Sequence, residues 1–154
     1  MAVALPILHS VQACLSAYGL YLSYISITDL QRYEEKSEEA AKYSTTAEHQ
    51  LHKTRTTQAS GALTITTSLV TSLTLAYLST STPTLLKFAL NPALAAGALF
   101  ARAHISNFWR GKAKVPFVGG FNEAISRTGE LQTLLAWLAG SWAVTGAVWG
   151  WSLS

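Results

Sequence analysis

The stretch TTQASGALTITTSLVTSLTLAYLSTSTPTLL, Thr56 to Leu86, contains no Asp, Glu, Lys or Arg. A helix rising about 1.5 Å per residue needs roughly 20 apolar residues to cross a hydrocarbon layer about 30 Å thick, and this run exceeds that length. Working outward, Met1 to Thr28, Phe88 to Ala101 and Leu131 to Ser154 are equally free of those charges. Lipid offers the backbone no hydrogen-bond partners, so a crossing is a helix or part of a closed barrel; long runs without strict alternation read as helices. The expectation is an all-α integral membrane four-helix bundle, a single four-span domain over 1–154 with crossings near 3–28, 59–80, 83–103 and 131–152.

Composition agrees. Charged residues make up 12% of the chain and hydrophobic ones 49%, about half the charge of a soluble domain. The net charge of +3 is spread along the chain with no basic block, which argues against a nucleic-acid partner. Cys14 is the single cysteine, so an intramolecular disulfide and a Cys-based zinc site are excluded. No basic region precedes the first apolar run, which therefore reads as a retained helix rather than a cleaved signal.

Ten of the eleven Lys and Arg fall in two connections: Arg32, Lys36, Lys42, Lys53 and Arg55 in the first, Arg102, Arg110, Lys112, Lys114 and Arg127 in the last. In a four-span chain these connections share a side, and their basic excess marks it as cytoplasmic, both termini lying opposite. An endomembrane such as the endoplasmic reticulum is the expected location. Lys87, near the start of the third crossing, is expected to snorkel to the interface. Trp149 and Trp151 are expected in an aromatic belt.

Asp29 to Arg55 carries its acidic residues early and its basic residues late, as a helix dipole favours, with Thr28 and Gln31 resembling a capping box. This predicts a polar cytoplasmic helical connection, continuous with the first crossing or separate from it. In the second crossing Thr64, Thr67, Ser68, Thr71 and Thr74 form a hydroxyl stripe, expected to pack between helices. Ala89, Ala93, Gly97 and Ala101 form a small-residue stripe in the third, and Gly146 and Gly150 a GxxxG in the fourth. Such stripes bring backbones together, within one bundle, in a homo-oligomer or against another membrane protein. Pro92 is expected to kink the third helix, with Asn91 satisfying a freed carbonyl. Asn122 reads as an N-cap for the last helix.

Chemistry concentrates at the predicted cytoplasmic mouth. There Arg102, Asn107, Asn122 and Arg127 are candidate substrate-binding residues, and His104 and Glu123 candidate catalytic ones, with Glu130 nearby. A cationic, amide-rich rim beside an apolar cavity suits an anionic or enolic group on a lipophilic molecule, with His104 or Glu123 moving a proton. His9, in the first crossing, is a second ionisable candidate. No phosphate-binding loop, dinucleotide glycine motif, HExxH, CxxC or GxSxG occurs, so the sequence leaves the cofactor unknown and names no metal ligands. In size and helix count the chain resembles small four-span endomembrane proteins, among them glutathione-transferase-like enzymes, cofactor-independent anthrone oxygenases and sterol-pathway scaffolds. The expected function is an enzyme of oxygenase, isomerase or transferase type acting on a lipophilic small molecule within the bundle. The alternative is a non-catalytic scaffold or accessory subunit.

Overall fold

The computed structural model describes residues 4–41, 45–78, 84–112 and 119–153. They form four helices: α1 (Ala4–Ala41), α2 (Thr45–Tyr77), α3 (Thr84–Trp109) and α4 (Gly119–Leu153). Each helix packs on two neighbours in the ring α1, α2, α3, α4, with α1 and α3 across one diagonal and α2 and α4 across the other. Contacts that pair early residues of one helix with late residues of the next, such as Gln12 with Thr145 and Thr57 with Trp109, make every neighbouring pair antiparallel.

Among the described residues three helices are long and apolar enough to cross a membrane: His52–Tyr77, Thr84–Trp109 and Phe121–Trp151. α1 is not among them. Its core-facing positions explain the difference, because His9, Gln12, Ser16, Ser23, Ser26 and Asp29 are all buried in the bundle. Polar groups that face neighbouring helices lower the hydropathy of a helix without exposing polarity to its surroundings.

The core face of α3 can be followed through Lys87, Asn91, Leu94, Ala98, Ala101, Ile105 and Trp109, at steps of three and four. Leu22, Ile65, Leu131, Leu135 and Leu138 complete an apolar centre. Two hydroxyl-rich levels flank it. At one, Trp142 Nε1 donates to Ser68 Oγ at 2.9 Å and Ser16 Oγ to the same atom at 3.1 Å. At the other, Gln58 Nε2 donates to Thr128 Oγ1 at 2.9 Å, Ser26 Oγ lies 3.4 Å from Thr128 Oγ1, and Trp109 Nε1 donates to Thr57 Oγ1 at 3.1 Å. Helices approach most closely at glycines: a methyl group on Gly19 would lie 2.8 Å from Leu134 Cδ2, and one on Gly61 3.1 Å from Ile105 Cδ1.

Several local expectations change. α1 continues through Thr28, whose hydroxyl donates to the Tyr24 carbonyl one turn back, so no capping box starts a new helix there. α2 likewise begins at Thr45, leaving only residues 42–44 of the first connection outside the two helices and outside the described residues. α4 begins at Gly119, which places Asn122 inside its first turn rather than at the cap. The hydroxyl stripe of α2 is turned mostly outward. Thr64, Thr67 and Thr74 each donate to a carbonyl four residues earlier, and only Ser68 reaches another helix. α3 runs through Pro92, and Asn91 Nδ2 donates to the Lys87 carbonyl at 2.8 Å, beside the turn where proline withholds a donor. The segment from Ala113 to Val118 lies outside the described residues.

Candidate functional site

The residues singled out at the mouth lie on the outside of the bundle. Arg102, His104, Asn107 and Glu123 are exposed, Asn122 and Arg127 half-buried. Arg127 pairs with Glu130 at 3.3 Å on the same helix, both side chains open to the surroundings. His104 stacks on Phe100, one turn back, with ring centres 6.5 Å apart. His104 and Asn107 do share a cleft of about 380 Å³ between α2 and α3, lined also by Gln50, Lys53, Thr57, Phe108, Gly111 and Lys112. The α4 residues Asn122, Glu123 and Arg127 do not line this cleft.

A different set converges inside the opposite end of the bundle. His9 and Gln12 come from α1, Lys87 and Asn91 from α3, and Thr145 from α4, all buried. His9 Nδ1 lies 2.8 Å from Gln12 Oε1, Gln12 Nε2 donates to Thr145 Oγ1 at 2.9 Å, and Thr145 Oγ1 donates to the Ser141 carbonyl at 2.8 Å. The last acceptor has no proton to give, which fixes the direction of the chain. Thr145 must donate to it, Gln12 must donate to Thr145, and Gln12 Oε1 must accept from His9. The imidazole therefore carries its proton on Nδ1, and in its neutral form keeps the lone pair on Nε2. The Trp142 ring stands 5.8 Å from the imidazole and holds it against α4.

Lys87 is 7% exposed, with Nζ 4.9 Å from the centre of the Trp149 ring. The ammonium is thus covered by the bundle, in the first turn of α3, with the half-buried Trp149 ring under it. Trp151, by contrast, is exposed. Asn91 is fully buried, and its Oδ1 has no hydrogen-bond partner. Gly146 permits this, since a Cβ there would stand 3.3 Å from that of Asn91. A buried carbonyl left unbonded costs about 1–3 kcal/mol, and a donor brought to it would recover that cost.

The signal for this cluster was present in the spacing. The pattern that makes Ile105, Ala101, Ala98 and Leu94 a core face, continued backward by four and three, arrives at Asn91 and Lys87. On α1, His9, Gln12, Ser16 and Gly19 share a face by the same rule. The arrangement combines a cation, an unbonded amide carbonyl and a histidine of defined tautomer behind apolar walls. It can bind an anionic or enolic oxygen at Lys87, accept a hydrogen bond at Asn91 and receive a proton at His9. Among the described residues no three His, Cys, Asp or Glu side chains are gathered together. Comparison with known proteins adds no relative: no protein family, curated protein or solved structure matches the chain.

Proposed function

We propose that the chain is a small endomembrane protein that transforms a lipophilic small molecule inside the bundle, at the cluster His9, Gln12, Lys87, Asn91 and Thr145. The reaction class is proton transfer next to an acidic oxygen, as in an enolisation or isomerisation. Lys87 holds the developing oxyanion, Asn91 Oδ1 orients a substrate hydroxyl, and His9 Nε2 exchanges the proton. The observation that carries this reading is the burial of two basic side chains, His9 from α1 and Lys87 from α3, each packed against a tryptophan of α4 at the same end of the bundle. Ionisable groups at membrane depth are costly, and where they occur they mark sites of function. Three helices of spanning length support the membrane setting, and the Lys/Arg distribution supports a cytoplasmic placement of the α1–α2 extensions.

The test compares lipophilic metabolites in cells producing the wild type, Lys87→Met, Asn91→Leu, His104→Ala and Glu123→Ala, each checked for membrane insertion. The expected outcome is a product that vanishes with Lys87→Met, where a charge-assisted contact is lost, falls about tenfold with Asn91→Leu, where a neutral hydrogen bond of about 1.4 kcal/mol is lost, and persists in the two surface variants. Product lost only with His104→Ala and Glu123→Ala would move the chemistry to the opposite end of the bundle.

One observation favours the scaffold reading. Ala89 and Ala93 are exposed, and Gly97 and Gly140 have nothing within 4 Å of where a Cβ would stand. Small residues left open on an apolar surface suit close approach by another helix.

A further inference from the structure

The α2–α3 cleft lies at the other end of the bundle from the polar cluster and has a different chemistry. Its walls span the ends of two helices of membrane-crossing length: Gln50, Lys53 and Thr57 flank the beginning of His52–Tyr77, and His104 to Lys112 flank the end of Thr84–Trp109. In a bilayer this is the level of the headgroups. Lys53 and Lys112 both line the cleft, and no Asp or Glu does. The Lys112 ammonium donates to Gln50 Oε1 at 2.7 Å and stands 4.6 Å from the centre of the Phe108 ring, which ties the end of α3 to α2. Among the described residues the Lys53 ammonium forms no hydrogen bond or ion pair. His104 and Asn107 add donors on the α3 side. One turn toward the bundle centre from His104, and stacked on it, Phe100 is 74% exposed, so an apolar surface begins where the cationic one ends.

We infer that this cleft binds the phosphate of an anionic phospholipid, its headgroup between Lys53 and Lys112 and an acyl chain lying along Phe100. The inference rests on the membrane setting proposed above and is independent of the chemistry assigned to His9 and Lys87. The order of the groups, two lysines, then amide and imidazole donors, then an exposed aromatic ring, matches the order of phosphate, glycerol and acyl chain along a lipid. A soluble anion would use the lysines alone and leave Phe100 without a role.

The experiment titrates the detergent-purified full chain with dioleoyl phosphatidic acid or dioleoyl phosphatidylcholine and counts retained lipids by native mass spectrometry. It is repeated with the double variant Lys53→Gln/Lys112→Gln, with Arg110→Gln, an exposed cation outside the cleft, and with Phe100→Ser. Each lysine near a lipid surface is worth about fivefold, so phosphatidic acid is expected to be retained at least about tenfold better than phosphatidylcholine. The double variant should lose that preference, Arg110→Gln should keep it, and Phe100→Ser should weaken retention of both lipids. Millimolar inorganic phosphate should leave the retained lipid in place. Equal retention of the two lipids, or an equal effect of Arg110→Gln and the double variant, would overturn the inference. Displacement by inorganic phosphate would show a site for free anions in place of lipid. Extraction of the chain from membranes by alkaline carbonate would instead remove the membrane setting itself, and so separates the two failures.

Discussion

Gly19 shows how closely single positions are specified. Its neighbours across the helix contacts are the ends of the Leu134 and Ile65 side chains, at 2.8 and 3.0 Å from where a methyl group would stand. Gly19→Ala should lose no more than about 1 kcal/mol, because the Leu134 tip can turn aside and alanine favours a helix by about 1 kcal/mol, while the stiff branch methyl Ile65 Cγ2 at 3.2 Å must give by tenths of an ångström. Gly19→Leu has no such relief, and thermal unfolding in detergent should register a loss of about 1–3 kcal/mol, the usual cost of overpacking. The sequence did not distinguish Gly19 from Gly97. Composition marks both as small, yet only the first is pressed between neighbours, and which glycine meets another helix depends on how each helix is rotated about its axis. For the same reason His9 was noticed as an ionisable candidate and Lys87 as an interfacial one without their common packing against α4 being visible. What the spacing lacked was the pairing of α1 with α4 and of α4 with α3, which sets both residues against the same stretch of α4.

At the scale of a helix, the hydroxyl stripe of α2 is the instructive case. The threonines at steps of three and four were read as an interhelical face, because an apolar environment should drive hydroxyls together. A threonine hydroxyl can instead bond the carbonyl four residues back, as Thr64, Thr67 and Thr74 do, and is then satisfied in any surroundings. Periodicity therefore located a face without saying which way it turns. Ser68 behaves differently, accepting from Trp142 and bonding to Ser16. Ser68→Ala should cost about 1–3 kcal/mol by leaving the buried indole N–H without an acceptor, whereas Thr67→Val should lie within about 0.5 kcal/mol of the wild type. Comparable losses for the two variants in detergent unfolding would contradict this assignment of faces.

For the molecule as a whole, helix number and the all-α class were legible because charge-free length is a strong signal, and neighbouring helices pair antiparallel because their connections are short. The location of chemistry was less legible. Polar residues near the ends of apolar runs read as a mouth, and several of them are exposed in the fold, while the buried polar residues are dispersed over three helices that meet along α4. The outward small residues lead to a prediction at this scale. Gly97→Leu has open space to fill and should leave the unfolding of a single chain unchanged within about 0.5 kcal/mol. A change in assembly size by light scattering on that substitution would then report a second protein at this face, and unchanged size would remove the face from the scaffold reading.

α1 has 38 residues and α2 has 33, against 26 in α3. At about 1.5 Å per residue the first two are some 57 and 50 Å long, well beyond a hydrocarbon layer of roughly 30 Å. Their surplus is the charged stretch between Asp29 and Arg55. Turning the protein over in a bilayer would drag that whole stretch through oil, at about 2.5 kcal/mol or more for each ion. Once threaded through a bilayer, a chain of this build would keep its orientation, the long helix pair acting as a ratchet pawl.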